Sequence, residues 1–580
     1  MHDLIIKNGT VIDGTGTPGV RADVAVSGEH VCALGTNLGP AQRTIDATDQ
    51  LVMPGWVDVH THYDGQATWD PYLTPSSWHG VTTAVFGNCG VGFAPMRPGT
   101  QDYLINLMEG VEDIPGSVLA EGMDFNWESF PDYLDVLESM PRALNVGAQV
   151  PHGALRFYVM GARGADHTQI PTANEINQMG RLLEEALNAG ALGFTTSRTV
   201  KHKAADGSAA PSLSASDPEL AGLAQAMRRA GSGVFECNSD LGPGEFAALR
   251  SFAEASGRPL SVLLLQIDAN PGLWRETLDD IRAANAAGLS VNGQVGCRPI
   301  GILMGLETSV HPFLTHPAWR ELADLSPAQR VAAVRDDPER RRRLVDERPH
   351  DTHTAWMRDA LGKSYELGFP ANYEPDPAQN IAARAAAGGQ NPWSFVLDLM
   401  LKDEGRALLL YPFENYAHGN LDVVQDMLAD EHTICGLGDA GAHVATICDA
   451  SYPTFLLSHW GRDRSRGPGF PIEHLVNKQT YKTAQAYQLF DRGVLAPGFR
   501  ADINIVDFDQ LQVTQPELAY DLPAGGKRFI QRARGYSHTF VGGTEVACNG
   551  EHTGALPGRL VRGTQNSPGH SRGHSPKRTP

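Results

Sequence analysis

Two histidines separated by one residue give the clearest chemical signal in this sequence. His60 and His62 follow a nearly continuous apolar run in LVMPGWVDVHTH. Side chains two residues apart on a strand point to the same side, so both imidazoles can bind one metal ion. Imidazole suits zinc, iron, nickel and copper. The alternative interpretation is two polar residues at a strand end, and the pair alone does not separate the two.

Two further residues stand at the ends of predicted strands. Cys89 lies in VTTAVFGNCG, and a thiolate there is a good zinc ligand, although free cysteines are usually small buried hydrophobes. Asp439 ends the apolar run of TICGLGDAGAH. A carboxylate in that place can bind a metal and exchange a proton with water. An aspartate before glycine is also typical of a turn or a helix cap.

The chain contains a repeated pattern that can bring such strand ends together. Between residues 56 and 484, strand-like runs alternate with helical ones, as in NEINQMGRLLEEALNAG followed by ALGFTTS. Repeated strand–helix units of this kind predict an α/β fold, namely a (β/α)8 TIM-like barrel. The active sites of such barrels lie at the carboxyl ends of the strands, which is where the residues above fall.

Both ends of the chain have a different pattern. Residues 1–55 and 485–556 contain short alternating runs with turn signals, which predict one small β-sandwich domain built from both ends. An insertion at about 316–405 interrupts the barrel, and its segment LSPAQRVAAVRDDPERRRRLVDE predicts one charged helix with a solvated face. Residues 557–580 are basic and rich in Pro, Gly and Ser, which predicts a disordered tail.

Composition excludes several classes of function. The 580 residues carry 47 basic and 67 acidic side chains, a net charge of −20, which argues against nucleic acid or an anionic membrane as the main partner. A membrane-length apolar stretch and a secretory leader are not apparent. Seven scattered cysteines without a CxxC pair favour a reduced, cytoplasmic protein. We therefore expect a small-molecule partner, and leave assembly into a homo-oligomer open.

Longer segments resemble a known family. NGTVIDGTG, LVMPGWVDVHTHYD and DRGVLAPGFRADINIVD are similar to the opening and closing segments of the amidohydrolase superfamily. GNCGVGFAP, GAQVPHGALR and NAGALGFTTSR resemble its D-aminoacylase (N-acyl-D-amino-acid deacylase) branch, over residues 1 to 550. The resemblance implies a metal-dependent hydrolase of a non-peptide amide C–N bond, an N-acyl-amino-acid deacylase. Asp439 would act on a metal-activated water as general base and then as general acid.

The same resemblance implies a metal site and exposes a departure from it. His60, His62, Cys89 and Asp439 match the branch's ligands of a divalent metal, with Zn²⁺ the first choice. The branch also has a histidine near the end of each of two middle strands, where this chain has Asn238 and Gln266. Amides are weaker zinc ligands than imidazole or thiolate, so we expect one metal. Two metals, with ligands from Glu236, Cys237 or His418, stay open as the alternative.

Residues on the substrate side are less well defined. Where the branch has a tyrosine that supports the oxyanion, this chain has Val200, with Arg198 and His202 nearby. Either can donate to an oxyanion or a carboxylate, or can be an ordinary loop charge. His152 and His443 are further candidates for substrate contact. Other amides, cyclic amides and esters remain alternative substrates, and a catalytically degenerate barrel that binds a small molecule or partner protein is the alternative function.

Overall fold

The computed structural model describes residues 1–568 of the chain. Its centre is a set of short, buried parallel strands, and their nearly continuous apolar runs suit strands covered on both faces. We label them β1 (Trp56–Asp58), β2 (Val81–Phe86), β3 (Asn145–Ala148, continued by Val150–Pro151), β4 (Gly193–Arg198), β5 (Val234–Ser239), β6 (Leu260–Leu263), β7 (Val291–Val295) and β8 (Thr433–Cys435).

Each of these strands pairs with the next in parallel. One sheet has the order β1-β2-β3, and the other runs from the end of β3 through β4, β5, β6 and β7 to β8. A parallel bridge between Thr61 and Ala440 joins the residues that follow β1 and β8. There the His62 amide donates to the Ala440 carbonyl at 2.8 Å. The ends of β1 and β8 therefore lie side by side.

Helices connect the parallel strands. The Ala173–Ala189 helix begins at a capping box between Thr172 and Glu175 and ends at Gly190, whose φ of 116° is left-handed. The predicted alternation of helix and strand is thus observed, and the fold is mixed α/β. The α-helices within residues 1–568 are Gln101–Glu112, Gly116–Gly122, Phe130–Ser139, His152–Met160, Ala162–Ala165, Ala173–Ala189, Asp217–Ala230, Glu245–Ser256, Leu273–Ala286, Pro317–Arg320, Pro327–Arg335, Pro338–Asp346, Thr352–Ala360, Ile381–Ala387, Pro392–Met400, Asp422–Ala429, Tyr452–Ser458, Ile472–Asn477 and Thr483–Ala486.

Strands from both chain ends share one sheet. Leu51–Pro54 pairs antiparallel with Ile503–Val506, and side chains from both ends, such as Leu4 and Phe540, share one core. The strands of this nine-stranded sheet are His2–Val11, Val20–Ser27, His30–Gly35, Ala41–Asp46, Leu51–Pro54, Ile503–Val506, Tyr536–Val541, Thr544–Cys548 and Glu551–His552. The remaining strands are Ile300–Met304, Tyr365–Glu366, Leu409–Glu414, Gln512–Val513, Glu517–Leu522, Gly526–Ile530 and Ala533–Arg534.

The segment 316–405 forms a helical layer with its own apolar core, which includes Trp319, Leu344 and Met357. The single charged helix predicted here is wrong, because two helices, Pro327–Arg335 and Pro338–Asp346, occupy that stretch. Asp337 adopts an extended conformation and caps the second helix. The residue before a proline disfavours the helical region, while proline itself suits a first helical turn.

The predicted disordered tail, 557–580, is only partly described. Residues 557–568 are joined to β3 by main-chain hydrogen bonds: the Val146 amide donates to the Arg559 carbonyl, and the Val561 amide donates to the Val146 carbonyl. The prediction of disorder is therefore wrong for 557–568, because main-chain hydrogen bonds to β3 order them. The remainder of that prediction, 569–580, lies outside the described residues. Within residues 1–568, every helix is too short or too polar to cross a membrane.

Candidate metal centre

His60 and His62 lie where the chain leaves β1. Their side chains are each about 1% exposed, and the backbone between them is held by the bridge from Thr61 to Ala440. The Cys89 Sγ atom is 3.4 Å from the His60 Nε2 atom. One donor atom from each of these three residues lies within 4.8 Å of the other two. The structure thus brings together the histidine pair and the predicted thiolate.

Cys89 reaches the histidines because the chain turns sharply after β2. Its φ is 55°, and Gly90 follows with a φ of 67°. A Cβ atom on Gly90 would lie 2.8 Å from the Ser197 amide nitrogen, so only glycine fits there. The Cys89 amide donates to Glu236 Oε2 at 3.2 Å. The turn therefore directs the thiol towards β1.

Asp439 approaches the same histidines from β8. Its amide donates to the His60 carbonyl at 3.1 Å. Its Oδ1 atom is 3.4 Å from His60 Nε2 and 3.6 Å from His62 Nε2. Gly441 has a φ of 98°, and a Cβ atom there would lie 2.7 Å from the His62 carbonyl oxygen. The glycines around Asp439 thus allow the close approach of β8 to β1.

The spacing of these donors fits a bound cation. Ligands at about 2.1–2.3 Å from a tetrahedral zinc ion are separated by about 3.5 Å, whereas charge-assisted hydrogen bonds measure about 2.7–2.9 Å. The separations of Asp439 from His60 and His62, and of Cys89 from His60, are 3.4–3.6 Å. The buried Asp439 Oδ1 and His62 Nδ1 atoms have no hydrogen-bond partner. The donor types, an imidazole pair, a thiolate and a carboxylate, also suit zinc.

Burial and neighbouring charges strongly shift the pKa values of the ionisable groups in the candidate metal centre. Burial lowers the pKa of His60 to about 4. Burial also acts against protonation of His62, but the attraction of Glu112 and then of Asp439 outweighs it and raises that pKa to about 9. Burial and the charge of Glu112 raise the pKa of the Cys89 thiol well above its ordinary value. Such mutual perturbation in a cluster is typical of functional sites.

A glutamine orients His60. Gln294 in β7 lies with its Oε1 atom 2.9 Å from His60 Nδ1, while its Nε2 atom donates to Ser261 Oγ at 2.9 Å and to Tyr487 OH at 3.0 Å. An Nδ1–H group that donates to the amide oxygen leaves the Nε2 lone pair free for a metal. Sequence reasoning missed Gln294, although a glutamine within a buried strand is a usable signal.

Glu112 is a second residue that sequence reasoning missed. It is the last residue of the Gln101–Glu112 helix, and its side chain is 2% exposed. Its Oε2 atom is 3.4 Å from His62 Nε2 and 3.7 Å from His443 Nε2, whereas its Oε1 atom has no hydrogen-bond partner. Burial raises the pKa of this carboxyl group. The candidates from the sequence are polar residues at the ends of predicted strands. Glu112 ends a helix and is therefore not among them.

The two positions without the expected histidines face histidines from loops. The Asn238 Nδ2 atom is 3.5 Å from Cys89 Sγ and 3.2 Å from His202 Nε2. The Gln266 Nε2 atom is 3.2 Å from His418 Nδ1. His202 is in turn 2.8 Å from the Ser197 hydroxyl. The predicted residue His202 therefore lies next to the cluster through Asn238.

Other predicted residues are engaged elsewhere. The Arg198 guanidinium donates to both carboxylate oxygens of Glu245, at 2.7 and 3.0 Å. His152 is fully buried, with its two ring nitrogens 2.9 Å from Thr196 Oγ1 and 3.0 Å from Glu219 Oε1. The structure thus does not bring these two side chains into the cluster. Cys237 is buried, and its thiol faces the Asn238 carbonyl.

Comparison with known proteins shows which family the chain resembles. The model of the amidohydrolase family matches residues 43–547. The chain is 31% identical to an N-acyl-D-aspartate deacylase of Alcaligenes xylosoxydans xylosoxydans, over 96% of this chain and 95% of the relative. It is 27% identical to a D-aminoacylase of the same organism, over 97% and 98%. A solved D-aminoacylase with a binuclear metal centre aligns at a TM-score of 0.63 and 25% identity, covering 97% of this chain and all of that one.

The chain therefore belongs to the amidohydrolase family, which confirms the resemblance found in its sequence. Within that family it falls in the branch of the D-aminoacylase and N-acyl-D-amino-acid deacylases.

Proposed function

We propose that this protein is a metal-dependent deacylase that hydrolyses the amide bond of N-acyl amino acids, with a preference for the D configuration. One observation carries the proposal: Asp439 Oδ1 lies 3.4 and 3.6 Å from the Nε2 atoms of His60 and His62, and Cys89 Sγ lies 3.4 Å from His60 Nε2. Two relatives that match nearly the whole chain are named as a D-aminoacylase and an N-acyl-D-aspartate deacylase. The substrate class rests on those names.

The four converging residues are the proposed ligands of one divalent cation, with zinc favoured by the thiolate and the imidazoles. When bound, such a cation polarises a carbonyl group and lowers the pKa of water. Gln294 keeps His60 in the tautomer that binds metal. Asn238 and Gln266 are already hydrogen-bonded to His202 and His418, which supports one cation over two.

Asp439 is the proposed proton carrier. Its side chain is 16% exposed, whereas those of His60 and His62 are about 1% exposed, so Asp439 is the ligand that a substrate can reach. Its carboxylate takes a proton from the attacking water and gives it to the amide nitrogen as the C–N bond breaks. The products are a carboxylate and a free amine.

His202 is the better placed of the two proposed oxyanion partners. It lies beside Asn238 and therefore beside Cys89, whereas Arg198 is held by Glu245. Burial lowers the pKa of His202 to about 3. A neutral imidazole that donates a hydrogen bond can stabilise a developing oxyanion. His443, beside Glu112, remains a candidate for substrate contact.

We also propose that β1–β8 close into a (β/α)8 barrel with a β-sandwich built from residues 1–55 and 485–556. Consecutive parallel pairing from β1 to β8 supports closure, as does the bridge between Thr61 and Ala440. The D-aminoacylase neighbour aligns over all of its length. In such a barrel the metal ligands lie at the carboxyl ends of β1, β2 and β8, where active sites are found.

Metal analysis combined with kinetics tests the proposal. We expect stoichiometric metal in the purified protein and hydrolysis of N-acyl-D-amino acids in a panel that includes the L forms. His60→Asn should lose the metal and at least about 10³-fold in kcat/KM, because a catalytic metal supplies several kcal/mol and each 1.36 kcal/mol is a factor of ten. His30→Asn, the same change at an exposed histidine of the β domain, should leave both unchanged.

The outcomes separate the proposed reaction from its alternatives. Stoichiometric metal with hydrolysis of cyclic amides or esters alone would refute the substrate class and keep the chemistry. A protein without metal that binds small molecules but hydrolyses no member of the panel would be a degenerate barrel.

A further inference from the structure

Glu112 is a buried carboxylate that faces two histidines. Within residues 1–568 no lysine or arginine lies within ion-pair distance of it, and its neighbours are His62 and His443. Its Oε1 atom has no hydrogen-bond partner. Burying a carboxylate without a partner is costly, so buried charges are normally paired or bind a metal. Among the described residues, Glu112 therefore has no permanently charged cation beside it, only imidazoles that can be protonated or bind a metal.

The position of Glu112 is fixed by the chain. At the end of its helix, a Cβ atom on Gly110 would lie 2.1 Å from the Ala204 carbonyl carbon, so only glycine lets the helix approach so closely. The Glu112 carbonyl accepts from the His443 amide. The adjacent Asp113 accepts from the Thr446 hydroxyl at 2.7 Å. Contacts from two loops thus hold the carboxylate against the centre.

The distances around Glu112 match those of the proposed ligands. Glu112 Oε2 is 3.4 Å from His62 Nε2, and Asp439 Oδ1 is 3.6 Å from the same nitrogen. Both separations exceed the 2.7–2.9 Å of a charge-assisted hydrogen bond. Glu112 Oε2 and Asp439 Oδ1 therefore both approach the one nitrogen through which His62 would bind a cation.

We propose that Glu112 is a further ligand of the cation held by His60, His62, Cys89 and Asp439. This inference rests on the proposed metal-dependent function and adds to it a fifth protein donor, supplied by a helix and not by a strand. Catalytic zinc sometimes expands from four to five ligands, so an attacking water would replace one of the five protein donors. Asn238 and Gln266, where the branch has histidines, are then not required as ligands.

Zinc affinity and coordination number test this assignment. The wild-type protein, Glu112→Gln and Glu109→Gln are loaded with zinc, and their dissociation constants are measured by competition with a chelator. Glu109 is exposed on the same helix, so its variant is the matched control. We expect Glu112→Gln to weaken zinc binding at least about tenfold, as disturbing the environment of a metal centre typically does, and Glu109→Gln to leave it unchanged. X-ray absorption should show one oxygen neighbour fewer in Glu112→Gln.

Each other outcome has a defined meaning. Wild-type affinity and an unchanged coordination shell in Glu112→Gln would overturn the assignment, including the case in which activity alone falls. A wild-type protein that binds no zinc would instead refute the proposed function. Thermal unfolding of the metal-free forms checks the fold of each variant. If Glu112→Gln does not fold, Glu112→Asp keeps the charge but withdraws the carboxylate by one methylene. It should also weaken zinc binding, and unchanged binding would overturn the assignment.

Discussion

Two buried glutamates, one in the first turn of a helix and the other at the end of a different helix, have opposite surroundings. Glu219, in the first turn of the Asp217–Ala230 helix, accepts from Arg156 Nη1 at 2.5 and 2.6 Å, and one of its oxygens is 3.0 Å from His152 Nε2. Glu112 has only imidazoles near it, at 3.4 and 3.7 Å. Burial acts against ionisation of both, but His152 and Arg156 lower the pKa of Glu219, while the pKa of Glu112 is raised.

The difference separates a structural ion pair from a site that needs a ligand. The carboxylate of Glu219 has its cation within the fold, and its short hydrogen bonds are those of a satisfied network. The oxygens of Glu112 and Asp439 are spaced as ligands, and each residue has one oxygen without a hydrogen-bond partner. An acidic residue is thus better judged by whether the protein supplies its cation than by burial alone.

Removing the internal cation of Glu219 should give the largest change in stability. Arg156→Met leaves the carboxylate buried without its strongest partner, which typically costs about 3–5 kcal/mol. Urea unfolding of the metal-loaded protein measures this cost. Arg163→Met is the control, because the Arg163–Glu175 pair is half exposed on the arginine side and such pairs contribute about 0–1 kcal/mol. A cost below 1 kcal/mol for Arg156→Met would mean that Arg156 is not the cation that stabilises the buried carboxylate of Glu219.

Much of the fold was predictable because its elements have local causes. The Ala173–Ala189 helix has its capping box, its terminal glycine and buried residues at Met179, Leu183 and Leu187. The two failures have different causes. The break between the Pro327–Arg335 and Pro338–Asp346 helices has a signal in the sequence, because the residue before a proline disfavours the helical conformation. The ordering of 557–568 depends on hydrogen bonds to β3, and no local pattern in the sequence encodes such distant partners.

The candidate site was predictable where strand ends supply it. His60, His62, Cys89 and Asp439 stand at the ends of β1, β2 and β8, and the structure places them together. Sequence reasoning missed Gln294 and Glu112 because their roles depend on which side chains from distant parts of the chain face them. Arg198 shows the converse: it ends β4, but its guanidinium pairs with Glu245 at the start of the Glu245–Ser256 helix.

Disturbing the orientation of His60 should give an intermediate effect. Gln294→Met keeps the size of the side chain but removes the acceptor for His60 Nδ1. Loss of such a supporting contact typically costs 10–100-fold in metal affinity. Chelator competition measures the change. Gln479→Met is the matched control, because Gln479 is a buried glutamine that donates to the Val57 carbonyl and to no proposed ligand. Equal zinc affinity in the two variants would show that Gln294 does not orient His60.

The smallest effect is expected at a second group of potential donors, on the β domain. His538, Glu545 and Cys548 also have donor atoms within 4.8 Å of one another. There, however, Glu545 already pairs with Arg43 at 2.8 Å and with His538 at 2.5 Å. Because its carboxylate has partners of its own, we expect no stoichiometric metal at this group. His538→Ala should leave metal content unchanged and cost about 0–1 kcal/mol of stability. Metal retained in His60→Asn but lost on adding His538→Ala would show that satisfied donors also bind a cation.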